Sequence, residues 1–246
     1  MLYETLCEQG ERAFRWRGAA PALLLVPAVL LTLFDTRYLF NDHDLDQLWD
    51  CFALLLMLAG LGIRVWTTGH TPRRTSGRNT KGQVADTLNT SGAYSLVRNP
   101  LYVGNFIGGL GAVLLLHSFG LTLYYVLAFA IYFERVVLAE ERFLTARFGD
   151  AYTRWARKTP AFLPEFSGYL PAVLPFSWRA VVRREHLTVF MAVFIIFIIE
   201  VGEDTVNQGT VVIDQHWLLI AAINSVLFMA IRWIRKRTRW LSAQGR

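Results

Sequence analysis

The sequence is short of charge and nearly without cysteine. Only 18% of its 246 residues are charged, against about 25% in an ordinary soluble domain; with 54% of residues hydrophobic, this shortage excludes a soluble globular enzyme. The two cysteines, Cys7 and Cys51, form no Cys-x-x-Cys pair, which excludes a disulfide framework and a thiolate metal cluster. Basic residues outnumber acidic ones by 25 to 19, yet they lie between apolar runs and not on one polar domain. Nucleic-acid binding is therefore excluded, and the charge is read as topological. What fills the chain is apolar sequence, and in lipid only structures that satisfy their own backbone can span. The expected fold is an all-α polytopic membrane protein with about six transmembrane helices.

In chain order, Arg12, Arg15 and Arg17 precede a first apolar run from Ala19 to Phe34, with a kink expected at Pro27. No small-x-small cleavage pattern follows it, so it is read as a retained span rather than a signal peptide. A second span runs from Leu48 to Trp66. The loop between them carries Asp35, Asp42, Asp44 and Asp46, with His43 among them. A metal site is conceivable there, but nothing fixes ligand geometry, and a solvated acidic loop with no metal is the expectation. Residues 67–98 form a polar connection with Arg73, Arg74, Arg78, Lys81 and Arg98. Runs from Leu101 to Leu116 and from Leu121 to Val137 are barely long enough to cross, which suggests a tight helical hairpin with a very short outer turn. Gly104, Gly108, Gly109 and Gly111 stripe its first arm; close helix packing is the favoured reading, although the same gap would admit a ligand.

From Glu134 to Arg184 the chain is basic and amphipathic, expected to lie along the membrane surface until Pro160, Pro164, Pro171 and Pro175 break it into turns. Spans from Leu187 to Val201 and from His216 to Ile231 follow, the second ending in a basic tail. With the N-terminus cytoplasmic, Arg37 alone of the 25 Lys and Arg residues falls on the outer side, the asymmetry that the positive-inside rule demands. Both ends are expected in the cytoplasm.

The polar groups that remain gather on that face. Arg98 precedes Asn99 and Pro100, and a proline at the first helical position leaves backbone N–H groups free near an arginine aimed at an anion. Glu140 and Glu141, at the cytoplasmic end of the fourth span, point about 100° apart on a helix, so separate roles follow more easily than a dyad. A ligand with a carboxylate and an ammonium would fit between Arg98 and a glutamate. Snorkelling and surface charges account for the same residues equally well on this reading alone.

The run Tyr94-Ser95-Leu96-Val97-Arg98-Asn99-Pro100-Leu101-Tyr102-Val103-Gly104, then Glu140-Glu141, Phe148-Gly149-Asp150-Ala151-Tyr152, Pro160 and Pro164, resembles the integral membrane methyltransferases of the isoprenylcysteine carboxyl methyltransferase and phospholipid methyltransferase superfamily. The resemblance covers roughly residues 55–165. It implies S-adenosyl-L-methionine as cofactor, with Tyr94, Arg98, Asn99, Pro100, Tyr102, Gly104, Glu140 and Glu141 lining its pocket. It further implies a catalytic group of Arg157, Lys158 and Glu140, the basic pair lying toward the acceptor. Asn99 stands where the family usually has histidine, and it cannot become cationic. The implied organisation is an N-terminal span and acidic outer loop (1–47), a methyltransferase-like membrane core (48–186) and a two-span extension with a basic tail (187–246). No histidine lies in the matched motifs, which favours O-methylation of a lipid-like or prenylated carboxylate or phosphate at the cytoplasmic face over phospholipid N-methylation, in a bacterial inner membrane or endoplasmic reticulum. The reading from another class is a non-catalytic lipid-binding protein or small transporter; the absence of repeats and the near-absence of mid-span charges count against transport.

Overall fold

The computed structural model describes residues 1–32, 43–72, 75, 83–211 and 213–242. Nine α-helices are found among them: α1 (Leu2–Phe14), α2 (Ala20–Thr32), α3 (His43–His70), α4 (Ala93–Leu96), α5 (Pro100–Leu114), α6 (Phe119–Phe148), α7 (Asp150–Lys158), α8 (Trp178–Gln208) and α9 (Gln215–Arg237). No strand occurs among the described residues, and the all-α class holds. Three helices, α3, α6 and α9, are long and apolar enough to cross a membrane, and α5 is a shorter apolar helix. The chain is an integral membrane protein. The outer-loop aspartates before His43, Arg37, and the connection residues Arg73, Arg74, Arg78 and Lys81 lie outside the described residues.

Glycine brings α3 and α5 together. A Cβ on Gly104 would stand 2.7 Å from Arg64 Cγ and 2.8 Å from the Gly60 carbonyl oxygen, and one on Gly111 would stand 2.7 Å from the Met57 nitrogen. The stripe is a packing surface, as small residues at membrane helix interfaces usually are. Trp49 donates its indole N–H to the Leu114 carbonyl at 2.9 Å and ties the start of α3 to the end of α5. The chain then reverses through Leu115–Ser118, with His117 at φ 49° and Ser118 capping α6. The hairpin with a short turn is present. Its second arm is built on stacked rings: Phe129 and Phe133 lie 4.2 Å apart, and Tyr102 of α5 lies 4.6 Å from Phe133.

The half of the molecule that holds Arg98 differs from the sequence expectation in three respects. Residues 1–18 are not merely polar: α1 presents Cys7, Gly10 and Phe14 on one face and packs along α6. Because α1 covers it there, α6 runs on for 30 residues, so Glu140 and Glu141 lie eight and seven residues before its end and not at the mouth of a short span. Nor is 134–184 one surface segment. Only α7 is a separate amphipathic helix, set off by Gly149 at φ 53°, a conformation that favours glycine. Residues 159–177 are irregular apart from a 3₁₀ turn at Phe166–Gly168, and α8 begins already at Trp178. It runs unbroken through position 187, packs on α3, and carries α9 on its other side.

Candidate functional site

A proline at the first position of α5 fixes where the helix starts, and Asn99 is its cap residue. The backbone N–H of Tyr102 and Val103 both bond to the Asn99 carbonyl at 3.0 Å, so the helix terminus turns these donors inward instead of leaving them for an anion. The segment before it is stitched to the strap that follows α7. Arg98 N–H donates to the Pro160 carbonyl at 2.8 Å, Glu165 N–H to the Leu96 carbonyl at 3.0 Å, and Gly92 N–H to the Leu170 carbonyl at 2.8 Å. Asn99 Nδ2 donates to the Ala161 carbonyl at 3.1 Å. Leu170 N–H donates to Ser95 Oγ at 2.9 Å, and the Trp155 indole donates to the Tyr94 carbonyl at 3.3 Å. Asn99 thus acts as a neutral tie between the start of α5 and the strap, a task that needs no charge.

Those ties bring side chains from four elements to one place. Arg98 Nη1 lies 3.0 Å from Glu141 Oε1, so the arginine expected to meet an anion already faces a carboxylate of the chain. The Tyr152 hydroxyl of α7 lies against Arg98; burial pushes this phenol's pKa up, with Glu141 adding to the rise and Arg98 opposing it. On the next turn of the site, Glu140 Oε1 lies 3.0 Å from Arg17 Nη1, while the Tyr102 hydroxyl donates to Glu140 Oε2 at 3.0 Å. Arg17 is only 8% exposed and its guanidinium sits 3.4 Å from the centroid of the Phe14 ring. The adjacent glutamates therefore do have separate partners, Arg17 for one and Arg98 for the other.

One polar atom in this cluster is buried with no partner at all, Arg98 Nε, and Glu141 Oε1 beside it meets only the Arg98 Nη1 charge at 3.0 Å, without a well-aligned hydrogen bond. The free donor and the adjacent carboxylate are the pair of functions that an amino-acid end group, with its carboxylate and its ammonium, would engage. The residues present fit such a group. Gly104 is buried against Arg64 and Gly60 in the seam between α3 and α5, where it serves close packing. Arg157 and Lys158 are elsewhere. Both are exposed, on the side of α7 turned away from buried Tyr152, and among the described residues neither forms an ion pair.

The sequence reading missed two arginines. Arg17 passed as a charge flanking the first apolar run, but Cys7, Gly10, Phe14 and Arg17 continue one small and apolar stripe at spacings of three and four, a signal that was available. Arg64 lies inside the second apolar run. Its Nη2 and Nε donate to Glu185 Oε2 of α8 at 2.7 and 2.9 Å, and Nη1 bonds Asn105 Oδ1 of α5. Thr68 and Thr188 each donate to Glu185 at 2.9 Å, so this buried pair is fully satisfied. An ionisable residue within an apolar run is itself a signal.

Comparison with known proteins places this geometry in context. Residues 49–151 match the phospholipid methyltransferase family. The chain is 38% identical over 141 residues to the cobalt-zinc-cadmium resistance protein CzcN of Cupriavidus metallidurans, covering 57% of this chain and 63% of that protein. It is 35% identical over 144 residues to the nickel-cobalt-cadmium resistance protein NccN of Alcaligenes xylosoxydans xylosoxydans, covering 58% and 63% respectively. It is also 40% identical over 77 residues to a protein-S-isoprenylcysteine O-methyltransferase of Schizosaccharomyces pombe, covering 31% of this chain and 33% of the enzyme. The matches to CzcN and NccN span less than two thirds of those relatives' length. No solved structure matches the chain. The matched segment contains α5 and the two glutamates of α6 around which Arg98, Tyr102 and Tyr152 gather, and its similarity to both groups supports a place in the integral membrane methyltransferase superfamily that joins the isoprenylcysteine carboxyl methyltransferases to the phospholipid methyltransferases.

Proposed function

We propose that the chain transfers a methyl group from S-adenosyl-L-methionine to a lipid-like or prenylated acceptor at the cytoplasmic membrane face, with a carboxylate or phosphate oxygen as the nucleophile. The observation that carries this reading is the buried, unpartnered Nε of Arg98 beside the Glu141 carboxylate, at the centre of a cluster formed by residues of the matched motifs. Arg98 would hold the carboxylate of the cofactor's amino-acid end and Glu141 its ammonium, with Tyr102, Tyr152 and Tyr94 walling the site; charge-assisted contacts of this kind are the strong ones. The cofactor supplies an activated methyl on a sulfonium, so what the chain contributes is alignment, exclusion of water and charge placement. Arg17 and Tyr102 hold Glu140 in one orientation, and the strap over residues 92–99 closes one side.

An anionic oxygen acceptor is a nucleophile without losing a proton, whereas an amine must first be deprotonated. Glu140, the carboxylate placed to accept that proton, is engaged by Arg17 and Tyr102. This supports O-methylation. The match to the phospholipid methyltransferase family supports N-methylation of a lipid headgroup as the second reading. Arg157 and Lys158, exposed at the end of α7 beside an apolar strap that includes Leu163 and Phe166, would gather an anionic acceptor from the bilayer surface. CzcN and NccN are named for resistance to divalent metals, which supports a cellular setting of metal tolerance for the same reaction.

The test is direct. Purified protein in lipid nanodiscs, given methyl-labelled S-adenosylmethionine and fractionated lipid extracts, should label an acidic lipid, through a base-labile ester on a carboxylate or a base-stable methyl phosphate on a phosphate. A label stable to base on an amine headgroup would select the second reading, and no labelling of any fraction by protein that also fails to bind S-adenosylhomocysteine would refute methyl transfer.

A further inference from the structure

The far end of α5 from Arg98 gathers carboxylates with almost nothing to neutralise them. Asp46 and Asp50 stand one turn apart on α3 and share a face, and the Asp46 charge acts on Asp50. The Trp49 bond to the Leu114 carbonyl holds that part of α3 against the α5–α6 turn, where His117 Nε2 lies 2.9 Å from Asp50 Oδ1. From α8, Ile199 packs in one cluster with Ala53 of α3 and Leu114 of α5, which brings Glu200 and Glu203 to this end of the bundle, where the Asp50 charge acts on both. Lys and Arg are scarce here: between residues 33 and 50, 115 and 121, and 199 and 216 the sequence contains Arg37 alone.

A second observation bears on what this cluster holds. Asp46 is only 3% exposed, and neither of its carboxylate oxygens has a hydrogen-bond partner; Asp50 Oδ1 and His117 Nε2 are likewise buried without a bond of good geometry. A buried carboxylate without donors costs several kcal/mol unless it is protonated or meets a cation. Asp46 lies one turn from Asp50, close enough for its charge to act on Asp50, and among the described residues no ammonium or guanidinium is bonded to it. We propose that Asp46, Asp50, His117, Glu200 and Glu203 form a divalent-cation site at the end of the bundle opposite Arg98 and Glu141.

Oxygen donors with one imidazole suit first-row divalent metals of borderline hardness. No group of three among the described residues already surrounds one point at coordinating distance, so binding draws Glu200 and Glu203, at the ends of flexible side chains, toward Asp50. The site stands independently of methyl transfer: it shares no residue with the Arg98 cluster, and its loss leaves that cluster's contacts in place.

The experiment uses the full chain in nanodiscs of neutral lipid, without an affinity tag, titrated with cobalt(II) chloride and followed by the visible bands of the bound ion. One cobalt per chain should bind. Asp50→Asn and His117→Gln should each weaken binding at least tenfold, Asp46→Asn comparably, and Asp214→Asn, an exposed acid on the same side of the chain's topology, should leave it unchanged. Thermal unfolding keeps folding separate: with cobalt the wild type should melt higher, and the Asp50→Asn protein should melt at one temperature with or without it. Cobalt binding that is absent, or equal in wild type, Asp50→Asn and His117→Gln, overturns the proposal. So does a protein that Asp46→Asn stabilises at pH 8 with no effect of cobalt on either form, because the occupant would then be a proton.

Discussion

Replacing Arg98 by alanine separates the ligand-binding role of this residue from its structural one. The backbone bond from Arg98 N–H to the Pro160 carbonyl does not depend on the side chain and survives the change. What is lost is the guanidinium that faces Glu141 at 3.0 Å and the unsatisfied Nε donor. The side chains of Arg98 and Glu141 are 20% and 26% exposed, so water can reach the abandoned carboxylate, and the stability loss should be about 1 kcal/mol. Loss of a charge-assisted hydrogen bond to a ligand carboxylate costs about 1.5 to 3 kcal/mol, which is roughly 10- to 150-fold in Kd. Calorimetry with S-adenosylhomocysteine in nanodiscs reads this directly. The double variant Arg98→Glu with Glu141→Arg sharpens the assay, because it restores an ion pair without restoring the donor where the ligand needs it; it should recover the melting temperature but not the affinity. Unchanged affinity in folded Arg98→Ala, or full recovery of affinity in the exchanged pair, would refute the assignment.

Other consequences follow from the same geometry. Breaking the buried pair by Arg64→Met or by Glu185→Leu should cost about 3 to 5 kcal/mol, while both changes together should cost much less, since neither charge is then left buried alone; denaturation in mild detergent with a double-mutant cycle measures it. Gly111→Leu should cost about 1 to 3 kcal/mol by forcing α3 and α5 apart, visible as a lower melting temperature. Changing Arg157 and Lys158 together to Gln should raise the acceptor KM and leave S-adenosylhomocysteine affinity intact; an unaltered KM in both low and high salt would remove them from the acceptor region. In a protein without Cys7 and Cys51, a cysteine at 208 should react with an impermeant reagent from outside the cell and one at 157 only from within, and the reverse pattern would place the Arg98 cluster on the wrong side for its cofactor.

The sequence by itself determined the solvent, the helical class and the hairpin, because these depend on local quantities. Apolar run length sets what can cross a bilayer, and the proline after Asn99 sets where α5 begins whatever surrounds it. Tyr102, Arg98, Glu140 and Glu141 were legible as a group because they sit in short motifs at fixed spacing. Their partners were not. Tertiary structure alone decided that Arg17, in the turn after α1 and outside the matched segment, meets Glu140 across 123 residues of chain, and that Arg64 meets Glu185 across 121. It also decided the extent of α6, since the polar run after Val137 remains helical where α1 shields one side of it, and it set Arg157 and Lys158 on the exposed face of α7. Ion pairs of this kind leave no periodicity in sequence: a guanidinium at the edge of an apolar run reads the same whether it meets a lipid headgroup, a ligand or a buried carboxylate, and only the packing of distant helices selects among them.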